Sequence, residues 1–116
     1  MDKLITSSPT TLRWFSTIKV KVQEKNLSLK YSEEKYYASF WSPKTNRNIA
    51  YLQPQKTQIR LFTRLAPSFN STLQTTPSSS KWADMYSSIF KVRSEDSINK
   101  AIEFIISSYE QDSHKY

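Results

Sequence analysis

The side chains best suited to binding lie in the segment from Gln53 to Leu65, where basic residues alternate with apolar ones. In an extended strand, successive side chains point to opposite faces of the sheet. One face would carry Thr57, Ile59, Leu61, Thr63 and Leu65, and the other Lys56, Gln58, Arg60, Phe62 and Arg64. The first set is typical of a core-facing surface, and the second indicates a basic surface that contains an aromatic ring.

Two preceding segments add aromatic rings to the same predicted surface. Residues 35–42 and 49–53 are both predicted to be strands, because apolar and aromatic side chains dominate them. A platform for single-stranded nucleic acid combines rings that stack on bases with Lys and Arg side chains that neutralise phosphates. We therefore predict a non-catalytic binding module that contacts DNA or RNA through Tyr37, Trp41, Tyr51, Lys56, Arg60, Phe62 and Arg64.

Two alternatives compete with this prediction. In the first, the N-terminal helix or the Ser/Thr-rich loop covers the aromatic face, which then forms a second core layer with the charges at its rim. In the second, the chain is a protein-interaction or homodimerisation module that uses exposed aromatic rings or a free sheet edge and binds no nucleic acid.

The charge distribution favours an anionic partner. The formal net charge is +7, and it is concentrated in residues 1–65, which hold 12 Lys and Arg against 4 Asp and Glu. Residues 66–116 hold 5 basic and 6 acidic side chains. A basic half attracts phosphate-rich partners through long-range electrostatics, although Lys can also serve only to keep a small protein soluble.

The sequence argues against an enzyme, a metal site and a bound cofactor. There is no cysteine, and glycine is absent, which excludes thiolate chemistry, a Walker-type phosphate loop and a Rossmann fingerprint. The single histidine, His114, is the third residue from the end of the sequence. Asp84 follows Trp82 closely and could have a raised pKa, but nothing nearby completes a mechanism. A small hydrolase or nuclease therefore ranks last.

Two helices are predicted. Ser8 and Pro9 offer a helix start, and Leu12, Phe15, Ile18 and Val22 recur with helical spacing over residues 10–25. A strand competes there, because residues 17–22 also alternate. The second helix spans residues 95–111, with Ser94 as its cap and with a stripe formed by Ile98, Ala101, Ile102, Ile105, Ile106 and Tyr109.

These elements predict an α+β fold in which an antiparallel sheet of about four strands packs against the C-terminal helix. The fourth strand falls within residues 84–93, and residues 66–83 form a long loop rich in Ser, Thr and Pro. Without glycine, the turns require Asn residues, of which Asn46 is a candidate for positive φ. We expect a single domain over residues 1–116, with flexible ends at residues 1–8 and 112–116.

No apolar run approaches the roughly 20 residues that span a bilayer. The first residues also lack the apolar centre of a signal peptide. We therefore expect a cytoplasmic protein that does not contact membranes.

Part of the sequence resembles a small bacterial and archaeal domain of unknown function, whose members are often labelled predicted transport proteins and also occur attached to nuclease-like modules. The resemblance begins with Tyr36–Ala38 and continues with Gln53–Lys56 and Ile59–Phe62. It implies an α+β domain with a curved antiparallel sheet, and it implies no established activity.

The end of the sequence is similar to the end of that family pattern, which has a tryptophan motif, a strand and an acidic-capped helix. The matching residues are Lys81–Ala83, Phe90–Val92, Ser94–Asp96 and Ser108–Glu110. The family usually has His-Trp-Gly at the tryptophan motif, whereas this chain has Lys81 and Ala83 around Trp82. Any role of that histidine is therefore not expected here.

Overall fold

The computed structural model describes residues 8–25, 29–34, 37–79 and 86–114, with the side chains of the last two excepted. Within these residues, the chain folds into two α-helices and six antiparallel strands that form one sheet in the order β1-β2-β3-β4-β6-β5. Both helices contribute to one hydrophobic core on the same face of the sheet. The predicted α+β architecture is therefore confirmed, with more strands than predicted.

Helix α1, Pro9–Glu24, is helical rather than extended. Ser8 caps it by accepting a hydrogen bond from the backbone N–H of Thr11, and Pro9 occupies the first turn, where no N–H is needed. Phe15, Ile18 and Val22 are buried in the core as the helical spacing predicts. The helix is favoured over the competing strand because a helix places all three side chains on one face, which packs against the core.

Helix α2, Ile98–His114, follows a short 3-10 turn at Glu95–Ser97. Ser94 and Ser97 form a reciprocal capping box at this start. The helix runs past the predicted end at Gln111, and the buried Asp112 accepts hydrogen bonds from Arg47 and Thr45. This ion pair connects the last helical turn to the β2–β3 hairpin, so Asp112, which was predicted to begin the flexible tail, lies within α2.

The strands are β1 Lys30–Glu33, β2 Ala38–Ser42, β3 Arg47–Pro54, β4 Ile59–Thr63, β5 Gln74–Thr75 and β6 Ser88–Val92. Consecutive strands β1 to β4 form an antiparallel meander, and β6 then pairs with β4. The β2–β3 turn contains Asn46 with a φ of 57°, so asparagine supplies the positive φ expected in a chain without glycine.

The side chains of β4 that were predicted to face the core do so. Ile59, Leu61 and Leu65 are fully buried in the core beneath the helices, and Thr63 is buried beside Ser88. Thr57 is exposed because it lies in the turn before the strand. The even-numbered side chains of β4 therefore belong to the face away from both helices, called the outer face below.

A bulge in β3 is held in place by α2. Phe40 pairs with Ala50 and Trp41 with Asn48, so Ile49 is the extra residue. The buried hydroxyl of Ser108 donates to the carbonyl oxygen of Ile49 at 2.9 Å and accepts from the backbone N–H of Arg64 at 3.2 Å. One helical side chain thus satisfies backbone groups from two strands.

The predicted loop over residues 66–83 is described as far as residue 79. It contains a 3-10 turn, Pro67–Phe69, and the two-residue strand β5. Leu73 anchors it in the core, while Phe69 is partly exposed and contacts Phe104 edge to face. The expectations for Trp82 and Asp84 lie outside the described residues, as do those for residues 1–7 and 115–116. Within the described part of the chain, neither helix has the length and apolarity to cross a membrane.

Candidate nucleic-acid interface

The strand register arranges the outer face into rows that cross the sheet. Gln53 pairs with Arg60, and Arg60 pairs with Lys91. In the next row, Phe62 of β4 pairs with Tyr51 of β3 on one side and with Ile89 of β6 on the other. A basic row therefore lies directly beside an aromatic row.

The basic row consists of Arg60, Lys91 and Arg93. Arg60 and Lys91 are direct cross-strand partners, and Arg93 follows Lys91 by two positions. The Arg93 guanidinium Nε donates to the side-chain oxygen of Gln58 at 2.9 Å, which places it against the start of β4. Arg60 reaches Gln53 with a long hydrogen bond of 3.4 Å. Three cations from two strands thus occupy one edge of the outer face.

The aromatic row is packed rather than open. Tyr51 is 4% exposed and Phe62 is 1% exposed, and both belong to a second hydrophobic cluster with Tyr86 and Ile89. Tyr51 stacks on Tyr86 at 5.8 Å between ring centroids and meets Phe62 edge to face at 5.6 Å. These two predicted contact residues therefore have no open ring face for a base in this structure.

The burial of these rings is what the alternative of a second core layer expects. The N-terminal helix packs on the opposite face of the sheet. The Arg60 guanidinium carbon lies 5.4 Å from the Phe62 ring centroid. The outer face is thus a thin apolar layer with charged side chains across it.

The phenols of this cluster remain neutral at physiological pH. Burial raises the pKa of Tyr51 far above its ordinary value, and the neighbouring Tyr37, Tyr86 and Glu34 raise it further. Burial also raises the pKa of Tyr86 to about 12, while Arg64 and a hydrogen bond from Asn48 act in the opposite direction. These tyrosines therefore add no negative charge to the basic surface.

Arg64 lies across the aromatic cluster from Arg60. Its Nε donates to the carbonyl oxygen of Asn48, and its guanidinium carbon is 5.5 Å from the Tyr86 ring centroid. Lys56 is exposed in the β3–β4 turn, and its carbonyl oxygen accepts a hydrogen bond from Thr11 of α1 at 3.1 Å. The three predicted basic contacts are thus spread over the outer face and its end.

Tyr37 and Trp41 are half-buried, in contrast to Tyr51 and Phe62. Tyr37 precedes β2 and packs on Tyr51 at a centroid distance of 4.6 Å. Trp41 lies at the other end of β2, where the Lys30 ammonium is 5.6 Å from its ring centroid. These two residues are the predicted aromatic contacts that a base could still reach.

The outer face contrasts with the acidic residues of α2. Glu103 and Glu110 are exposed on the helix, and Asp112 is paired with Arg47. Near the aromatic cluster, the acidic neighbour that affects Tyr51 is Glu34, which lies in the β1–β2 connection. Among the described residues, no group of three or more His, Cys, Asp or Glu side chains is arranged to hold a metal ion.

Sequence reasoning missed Lys91 and Arg93 as members of this surface. The signal was present in Ile89, Lys91 and Arg93, which alternate with buried Phe90 and Val92 in β6. Assigning these side chains to the outer face requires that β6 pairs beside β4, and this long-range pairing is not visible in local sequence. Lys30 lies beside Trp41 because β1, which was predicted as a connection, pairs with β2.

Comparison with known proteins finds no matching family model, no similar curated protein and no similar solved structure. The resemblance to the domain of unknown function described above therefore stays a prediction.

Proposed function

We propose that this protein is a non-catalytic module that binds single-stranded nucleic acid on the outer face of its sheet. The observation that carries the proposal is the direct pairing of Arg60 with Lys91 on that face. Like charges directly opposite on neighbouring strands destabilise a sheet. A phosphate group between them would remove this repulsion and convert it into two favourable contacts.

The surroundings of this pair support an anionic ligand. Arg93 extends the row, and Lys56 lies exposed in the turn at the end of β3 and β4. Tyr51 and Tyr86 of the neighbouring cluster are neutral at physiological pH, as phenols ordinarily are, and burial raises the pKa of each further. The positive field of the row is therefore not offset by ionised phenols within the cluster.

The role of the aromatic residues differs from the sequence prediction. Tyr51 and Phe62 form the layer on which Arg60 and its neighbours lie, and they position the cations rather than stack on bases. Tyr37 and Trp41 retain the stacking role, because each is only half-buried. Each base that stacks on such a ring contributes about 1–3 kcal/mol.

Fluorescence anisotropy with labelled single- and double-stranded oligonucleotides tests this function. We expect the wild-type chain to bind single strands more tightly than duplexes at low ionic strength, because rings can reach only unpaired bases. Arg60→Gln and Lys91→Gln should each weaken binding by about three- to tenfold, since each removes one charged phosphate contact.

Lys44→Gln provides the matched control. Lys44 is an exposed cation in the β2–β3 turn, so its substitution changes the net charge equally without touching the basic row. Equal losses in all three variants would mean that only total charge matters, and the assigned site would be wrong. Absence of binding at low salt would remove the proposed function altogether.

A homodimer remains the second candidate because β1 ends the sheet and, within the described residues, no strand pairs with its outer edge. Such an edge can pair with a second copy of the chain. The exposed-aromatic version of this candidate loses support, since Tyr51 and Phe62 are already buried within one chain. Sedimentation equilibrium of the unliganded chain tests it, and a single monomeric mass at high concentration would contradict it.

A further inference from the structure

The basic row continues into a surface recess where the edge of β6 meets the start of α2. Lys91, Arg93 and Lys100 line this recess, together with Thr72, Phe90 and Asp96. Lys91 lies in β6 and Arg93 directly follows that strand, whereas Lys100 comes from the first turn of α2. The recess therefore collects three cations from two elements that the chain brings together by folding.

The sheet edge beside the recess is open. Strand β5 pairs only with Ser88 and Ile89, so the remainder of β6 has no partner strand on that side among the described residues. The backbone N–H of Thr76 donates to the carbonyl oxygen of Ser87. Because backbone groups of an antiparallel strand alternate in direction, the N–H of Lys91 points toward the same open edge. A backbone donor thus accompanies the side-chain cations.

The charges at the recess leave a clear positive excess. Asp96 is the one acidic side chain among the lining residues, against three cations. The neighbouring Glu95 approaches Arg13 at 3.9 Å, on the side of α1. The hydroxyl of Ser97 bonds to the backbone of Ser94, so it serves the helix start. The cations are therefore the groups available to a ligand, and their excess over Asp96 matches a doubly charged anion.

We propose that this recess binds the terminal phosphate of the nucleic-acid strand that lies on the outer face, an inference that rests on the proposed function. A terminal phosphate carries close to two negative charges at neutral pH, whereas an internal phosphodiester carries one. Lys91 belongs both to the basic row and to the recess, so the strand passes directly from one to the other. The site therefore selects strands by their phosphorylated end.

The test compares three oligonucleotides of identical sequence, with a 5′-phosphate, a 3′-phosphate or hydroxyl groups at both ends, titrated against the full chain. We expect one phosphorylated form to bind about tenfold more tightly than the hydroxyl form. Lys100→Gln should abolish this preference and leave affinity for the hydroxyl form unchanged, because Lys100 lines the recess and lies outside the basic row. Lys44→Gln should retain the preference.

Each other result has a distinct meaning. Equal binding of all three oligonucleotides would overturn the terminal-phosphate site and leave the proposed function standing. A preference that survives Lys100→Gln would place the phosphate site elsewhere and overturn the assignment to this recess. Failure of every oligonucleotide to bind at low salt would remove the proposed function, and the inference with it.

Discussion

Replacing Ser108 by alanine should destabilise the fold more than the loss of a single hydroxyl group suggests. The side chain is 1% exposed, and its hydroxyl bonds both to Ile49 at the β3 bulge and to the backbone N–H of Arg64. Alanine fits the same space and favours a helix by about 0.5 kcal/mol. It leaves a buried carbonyl and a partly buried N–H without this partner, however, and the two groups together cost about 2–3.5 kcal/mol, toward the lower end of the range because the N–H is only partly buried.

We therefore expect Ser108→Ala to lower the free energy of unfolding by about 1.5–3 kcal/mol after the gain in helix propensity. Urea denaturation followed by circular dichroism measures this value. With an m-value of about 1.3 kcal/mol per molar urea, the midpoint should fall by about 1–2 M.

Ser107→Ala is the matched control, because it makes the same chemical change one position earlier on a less buried part of α2. This variant should be unchanged or slightly more stable. If Ser108→Ala and Ser107→Ala unfold at the same urea concentration, the hydroxyl of Ser108 does not support the bulge. The reasoning from unsatisfied backbone groups would then be refuted.

Three further predictions concern the ion pairs and the tyrosine cluster. Asp112→Asn should lower the melting temperature by about 8–15 °C, because Arg47 loses the buried carboxylate that pairs with it. In calorimetry at low salt, Lys91→Gln should stabilise the fold by about 0.2–0.6 kcal/mol through relief of repulsion from Arg60, and a loss of stability would contradict the pairing argument. The raised pKa of Tyr86 in the folded state contributes stability that is complete below pH 10 and is lost as the pH rises toward about 12. Between these pH values, the unfolding free energy of Tyr86→Phe should therefore fall less than that of the wild type. An equal fall in both proteins would contradict the assigned pKa.

Local periodicity predicts a large part of this fold. The spacing of Phe15, Ile18 and Val22 defines the buried side of α1, and the alternation of Ile59 and Leu61 defines the inner side of β4. These patterns succeed because each element buries one face against a single core. The Ser8 cap is predictable for the same local reason, since its partner lies three residues away.

The remaining features depend on contacts between distant residues. Asp112 is buried because Arg47 and Thr45 reach it from a hairpin more than sixty positions earlier. Phe62 is buried because Tyr51 and Ile89 flank it on neighbouring strands. Alternation assigns a side chain to a face, but it does not show what packs beside it. The alternation therefore assigned Tyr51 and Phe62 to the outer face, but it did not predict that they are buried there.

The salt dependence of oligonucleotide binding tests the central claim most directly. A plot of log affinity against log salt concentration should be steep for the wild type, since every neutralised phosphate releases counterions. Arg60→Gln and Lys91→Gln should each reduce the slope for single strands by about 0.7, whereas Lys44→Gln should leave it unchanged. Identical slopes for the wild type and for the Arg60 and Lys91 variants would show that the basic row of β4 and β6 does not contact phosphate.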